Sequence, residues 1–281
     1  MVQEPRSTNR KLWYKSHSLT GYGTTLKMLI DSHAHIQLSQ FDRDRDVMLE
    51  RAQEAGISAI LVIGFDMATS LGAVELAEKY TQIYATVGMH PHDAKDLTPD
   101  VLEKFRKLAT HPKVIALGEM GLDYYRNFSP RPLQKAAFEE QLDLAEAMQM
   151  PIIIHNRDAY MDILPILEAR RGRIRGVLHC FTGDVELMHR SLAIGFHIGI
   201  GGIVTYPNAK DVQAVAREVP EDRLLIETDC PWLAPQFRRG KRNEPAYVRA
   251  VAEEIAELRN TSVETIGETT TRNFEILFAQ T

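Results

Sequence analysis

The chain has 281 residues, 44% of them hydrophobic and a quarter charged, enough to bury a sizeable core. A formal net charge of -5 excludes wholesale electrostatic adhesion to nucleic acid, so any phosphate-bearing partner must be held by a local site. With only Cys180 and Cys230 there is no disulfide framework, and no apolar run reaches the roughly 18 residues of a membrane span; the expected setting is reducing and cytoplasmic.

Residues 1–27 are basic, poor in acids and rich in Ser, Thr and Gly, with no helical or strand period. They are expected to be a loose leader: either a transit peptide or a stretch upstream of a true start at Met28.

From there a regular beat sets in. A first apolar run, Met28 to Ile30, leads into Asp31-Ser32-His33-Ala34-His35. Two histidines two apart on an extended strand leave the same face, within reach of one ion. An amphipathic segment, Asp46 to Ala55, stops at Gly56; a second run, Ala59 to Ile63, and a helix over Ala68 to Lys79 follow. The third run, Ile83 to Val87, opens onto His90-Pro91-His92 before a helix over Pro99 to Ala109. The fourth, Val114 to Leu117, precedes Gly118-Glu119 and a helix over Pro132 to Met148. The fifth, Ile152 to Ile154, precedes His155-Asn156-Arg157 and a helix over Met161 to Arg170. The sixth, Gly176 to Leu178, precedes His179 and a helix over Val185 to Ala193. After Gly195 come the seventh run, Phe196 to Ile200, and a helix over Ala209 to Arg217. The eighth, Leu224 to Ile226, precedes Glu227-Thr228-Asp229, with a last helix over Pro245 to Leu258.

Eight continuous apolar strands separated by helices predict an α/β fold. A single-domain (β/α)8 TIM-type barrel over residues 28–281 accounts for the count better than an open doubly wound sheet. In that barrel the strand ends meet at the C-terminal face, where active sites of this architecture lie. There, four histidines with two carboxylates at strand ends suit a catalytic pair of divalent ions better than a closed structural zinc. A carboxylate such as Glu119 can bridge two ions about 3.5 to 4 Å apart, and a hydroxide shared between them would serve hydrolysis. Imidazole and oxygen ligands together leave Mg²⁺, Mn²⁺ and Zn²⁺ open. Taken singly, a histidine ending a strand can be hydrogen-bonded packing and an aspartate can be a helix cap. Six such residues at matched positions are hard to explain that way, because crowding them without a metal carries a desolvation cost.

Around this set the readings stay open. His90 and His92 are candidates to stand beside the scissile group, or to pack. Arg157 either pairs a phosphate oxygen or forms a solvated ion pair. Arg238, Arg239, Lys241 and Arg242 crowd the connection after the eighth strand, as a solvated turn or, through Arg239 and Lys241, as a phosphate grip. Glu227 faces the site behind a ligand or packs. Cys180 and Cys230 each follow a candidate ligand and are expected to point the other way, into packing. Asp229 is the expected proton carrier, with helix capping as its alternative.

From Met28 onward the chain resembles the TatD family of metal-dependent deoxyribonucleases, a branch of the amidohydrolase-like barrels. The motifs that carry the resemblance are Asp31 to His35 for Asp-Ser-His-X-His, Gly118 to Tyr124 for Gly-Glu-X-Gly-Leu-Asp-Tyr, and Pro151 to Arg157 for Pro-X-X-X-His-X-Arg. His179 to Gly183 stands for His-Cys-Phe-X-Gly and Glu227 to Pro231 for Glu-Thr-Asp-X-Pro, while Gly88 to Asp93 resembles the family's third-strand motif. The resemblance implies that His33, His35 and Asp229 bind one metal, that His155 and His179 bind the second, and that Glu119 bridges. It also implies a phosphodiesterase that trims DNA from 3′ to 5′. The oligomeric state is open, with a monomer favoured. Ester or amide hydrolysis, including removal of an aminoacyl group from tRNA, is the alternative chemistry; a non-catalytic interaction protein on a barrel scaffold is the alternative class.

Overall fold

The computed structural model describes residues 29–278, so the expected leader at 1–27 lies outside the described residues. Eight parallel strands form one sheet in chain order: β1 (Leu29–Ala34), β2 (Ile57–Ile63), β3 (Ile83–Val87), β4 (Val114–Asp123), β5 (Ile152–Arg157), β6 (Gly176–Leu178), β7 (His197–Ile200) and β8 (Leu224–Ile226). The last strand returns to the first. Asp229 N donates to His33 O at 2.9 Å and His35 N to Cys230 O at 2.8 Å. At the same seam the buried Asp31 carboxylate accepts from Thr228 N (2.9 Å) and Thr228 Oγ1 (2.6 Å). Burial pushes Asp31 up to about 8, against those bonds. The expected (β/α)8 barrel is the observed architecture.

Helices cover the outside: α1 (Arg45–Glu54), α2 (Met67–Lys79), α3 (Pro99–Leu108), α4 (Arg131–Met148), α5 (Tyr160–Glu168), α6 (Val185–Ile194), α7 (Lys210–Glu218) and α8 (Val248–Arg259). Their starts follow local chemistry. Asp66 caps α2 by accepting from Thr69 N, Thr98 caps α3 at Val101 N, and Asp184 caps α6 at Leu187 N. Pro245–Tyr247, expected as the first turn of the last helix, is a separate 3-10 turn ahead of α8.

A further helix, α9 (Val263–Phe278), was not expected. Its buried face includes Gly267, Thr269, Thr270 and Asn273, so the apolar period is broken by small and polar residues. Asn273 Nδ2 donates to the carbonyls of Glu221 and Leu224, fixing α9 to the start of β8. Phe274, Leu277 and Phe278 then pack with Ile30, Leu61, Tyr84, Ile115, Ile153, Val177 and Leu225 in a cluster apart from the main core. These strand residues alternate with neighbours that face the helices, so they line the barrel interior and α9 floors its N-terminal end.

Three strands run further than their apolar cores suggested: β1 to Ala34, β4 to Asp123 and β5 to Arg157. Consequently His33, Glu119 and His155 lie on strands rather than just after them. Strand parity then aims them. Ile153 is interior, so His155 and Arg157, two and four residues on, leave the same face; Val177 leads likewise to His179, and Leu225 to Glu227. Gly121 is required between Glu119 and Asp123, because it has φ +144° and a Cβ there would fall onto the carbonyl oxygen of His155.

At the opposite end of β7 from the site, His197 is 5% exposed and neither ring nitrogen meets a hydrogen-bond partner. Burial, with help from Arg223, lowers it to about 4. The unfolded chain holds that proton more tightly, so the contribution of neutral His197 is complete above about pH 6.5 and is lost as pH falls toward 4. The loss amounts to about 3 kcal/mol. Denaturant melts at pH 7 and pH 4.5 are expected to show a smaller acid-side loss in His197→Phe than in the native protein; equal losses would mean that this ring does not titrate on unfolding.

Candidate metal centre

At the C-terminal mouth the side chains converge on Glu119, which is 4% exposed. Its two oxygens face different groups. Oε1 lies 2.8 Å from His155 Nδ1, 2.9 Å from His179 Nε2 and 3.6 Å from His90 Nε2. Oε2 lies 3.5 Å from His33 Nε2 and 3.8 Å from His35 Nε2. Asp229 closes the second group, with Oδ1 3.4 Å from His35 Nε2 and 3.7 Å from His33 Nε2. Two clusters of donors therefore share one carboxylate, the arrangement of a dinuclear centre for two divalent ions.

The tautomers test whether these residues fit a metal. His33 and His35 bring their Nε2 atoms 3.1 Å apart, too close for two N–H groups. His35 Nδ1 faces the Ile63 carbonyl at 3.1 Å, which fixes the hydrogen there and leaves the Nε2 lone pair free. His155 places Nε2 3.3 Å from Asp123 Oδ2 and Nδ1 2.8 Å from Glu119 Oε1, and His179 places Nδ1 3.4 Å from Glu227 Oε1 and Nε2 2.9 Å from Glu119 Oε1, so each ring stands between two carboxylates with one nitrogen toward the site. Four buried imidazoles converging with two carboxylates, at distances that need a proton or a cation between them, fit a metal site.

His90 differs. Its Nδ1 already accepts from His92 N at 3.0 Å, so in the neutral ring Nε2 carries the hydrogen and points it at the site. Burial, reinforced by His155 and His92, holds His90 well below its ordinary value and keeps it neutral. Although it lies close enough to count with Glu119 and His155, it presents a donor rather than a lone pair. His92 turns Nε2 to Asp123 Oδ2 at 2.9 Å and is tied to the wall.

The charges show how strongly the carboxylates draw positive charge into the site. Burial opposes protonation of His155 and His179, yet Asp123 and Glu119 hold the first above its ordinary value, and Glu119 with Glu227 holds the second well above. Burial and the stacked ring of His179, 3.9 Å away, lower His33. Burial opposes the charged form of Glu119 too, but His179, His155 and His33 pull it well below the usual carboxylate range; against the same burial, His35 and His33 lower Asp229.

Two contributors lie outside the expected site residues. Asp123 is fully buried and braces both His155 and His92; its signal was its place four residues after Glu119, on the same strand face. Asp31 ties β1 to β8 beneath the histidine pair. Glu227 does face the site, behind His179, where its carboxylate fills the space a Cβ on Gly199 would need. Asp229 caps no helix, since the next helical turn begins only after Pro235, and it holds φ 55°, a strained value for a non-glycine residue. Cys230 is buried as expected, whereas Cys180 is partly exposed, with φ 43° and its amide donating to Glu227 Oε1. The left-handed turn breaks the strand alternation that would have sent its side chain into packing. Burial and the nearby Asp229 and Glu227 push its thiol well above its ordinary value, unlike an activated nucleophile.

Farther out, Arg157 stacks its guanidinium 4.0 Å over the Tyr125 ring and Arg239 lies 4.5 Å over Tyr206. Neither they nor Arg238 and Lys241 are paired with a carboxylate among the described residues. Arg242 is different: it binds both oxygens of Asp44 at 2.7 and 2.6 Å and anchors the loop instead of presenting a free cation.

The family description TatD related DNase matches residues 30–279. The chain belongs to the TatD family. Like its relatives, this TatD-family protein is a metal-dependent hydrolase, so the non-catalytic alternative does not hold. It is 47% identical over 252 residues to YabD of Bacillus subtilis (strain 168), an uncharacterized metal-dependent hydrolase, covering 89% of this chain and 99% of that one. It is 37% identical over 257 residues to the 3′-5′ ssDNA/RNA exonuclease TatD of Pectobacterium parmentieri, covering 89% and 99%. Among solved structures, the Escherichia coli K12 TatD homologue YJJV superposes with a TM-score of 0.86 at 30% identity, covering 92% of this TatD-family chain and 100% of that one. No helix of the described residues is long and apolar enough to cross a membrane.

Proposed function

We propose that this protein hydrolyses phosphodiester bonds of DNA from the 3′ end. The observation that carries the reading is the coincidence of a donor set for two divalent ions with a fringe of unpaired cations, Arg157, Arg238, Arg239 and Lys241, on an otherwise acidic protein. The printed activity of the Pectobacterium relative supports it. In this reading His33, His35 and Asp229 hold one ion, His155 and His179 the other, and Glu119 bridges.

Two divalent ions there would supply Lewis acidity, neutralising charge on a phosphoryl oxygen and lowering the pKa of water. The chain's own groups do the rest. His90 donates from Nε2 to a phosphoryl oxygen, and Arg157, held flat by Tyr125, pairs the adjoining phosphate. Asp229 accepts the proton of the attacking water and returns it to the leaving oxygen. Glu227 and Asp123 keep His179 and His155 in register.

The test is the metal-reconstituted protein against single-stranded DNA, duplex DNA, RNA and a charged tRNA, with chelated protein as control. Release of mononucleotides from the 3′ end is the expected result; deacylation of the tRNA with no cleavage of DNA would replace the reading. On the same substrate Arg239→Ala with Lys241→Ala is expected to weaken binding across sequences and flatten its salt dependence by about one unit per lost contact. An unchanged slope would make the loop a solvated turn.

A further inference from the structure

Two large aromatic side chains stand uncovered at the mouth and take no part in the chemistry above. Phe128 is 63% exposed and Trp232 is 45% exposed. They come from opposite sides: Phe128 from the connection after β4, Trp232 from that after β8, four strands away around an eight-stranded ring. Each rests against a histidine of the site, Phe128 tilted at 4.8 Å from His92 and Trp232 edge-on at 5.1 Å from His35. The backbone holds Trp232 in place, since Asn243 Nδ2 donates to its carbonyl at 2.7 Å.

We propose that Phe128 and Trp232 are stacking platforms for two unpaired bases, one on each side of the bond being cleaved, and so set the preference for single-stranded ends. This rests on the nucleic-acid reading above and names the residues that select within it. An exposed ring on the rim of a charged site has one face available to a flat partner, and a nucleobase can stack there whatever its identity. The cations that lack carboxylate partners lie on the same rim and suit the phosphates between such bases. A base inside a duplex keeps both faces covered by its neighbours and cannot reach either ring without being unstacked.

The test uses 3′-terminal oligonucleotides carrying one abasic residue at the last or the penultimate position. Each abasic site is expected to lower kcat/KM of the native protein by about 5- to 150-fold, the equivalent of one lost base–aromatic stack. Trp232→Ala and Phe128→Ala should each lose a similar factor on intact DNA and become insensitive to one abasic position, a different one for each, with an aromatic replacement (Trp232→Phe, Phe128→Tyr) restoring the sensitivity. The preference for single strand over blunt duplex should shrink in both alanine variants. A merely structural role would lower activity on every substrate by one factor and leave the abasic penalties as in the native protein, which would overturn the proposal. Binding supplies a readout without turnover: the chain has two tryptophans, so in a Trp13→Phe background single-stranded DNA should quench Trp232 fluorescence. Quenching by single strands without cleavage would keep the platforms and remove the nuclease reading; absence of quenching would remove the platforms even if cleavage is found.

Discussion

Asp229→Asn is expected to retain much of its metal and lose on the order of a hundredfold or more in turnover. The residue sits at φ 55°, in the left-handed region, where Asn is as well tolerated as Asp, so the turn that brings its amide to His33 O should survive. Asn also keeps one oxygen toward His35 and His33. What it cannot do is take a proton. The capping alternative would have made this substitution nearly silent, and no helix starts at Asp229. Turnover and bound metal measured on one preparation separate the roles: near-normal turnover would dismiss Asp229 as proton carrier, and rate lost in step with metal would make it a ligand only.

Glu119→Ala is expected to have the other large effect, on metal content before rate. This carboxylate touches both clusters, Oε1 on the side of His155 and His179, Oε2 on that of His33 and His35. Loss of a group behind a ligand commonly costs 10- to 100-fold in metal affinity, so loss of the shared ligand should cost more than about a hundredfold for both ions. It should also weaken the pull that raises His179, leaving four imidazoles crowded around Asp229 as the remaining carboxylate between them. Elemental analysis showing two ions per chain in Glu119→Ala would refute the bridging role. Two ions in His33→Ala would refute the assignment of that ring to either cluster.

Much of this was legible because a parallel barrel turns a one-dimensional pattern into a place. Every strand buried on both faces reads as a short apolar run, and each run ends where its polar residues meet the others. The extent of β4 was not legible, since Gly118 and Gly121 interrupt its apolar run while the backbone continues to Asp123. Helix α9 was hidden by the Thr and Asn residues on its buried side. Hydrogen positions on the rings were out of reach for another reason. That His90 is a donor depends on the amide of His92, and that Arg242 is an anchor depends on a carboxylate 198 residues earlier in the chain. Such facts belong to contacts, which a linear pattern does not carry.

The helix that floors the barrel sets the traffic through it. With Phe274, Leu277 and Phe278 seated among the interior residues, no passage leads from the mouth to the far side through the described residues. A polymer therefore cannot be threaded through this molecule as a rope through a ring; it can only be presented to one opening and withdrawn from it. In the nuclease reading each fragment would leave by the doorway the next end has to enter, so departing product and incoming strand would compete for a single vestibule.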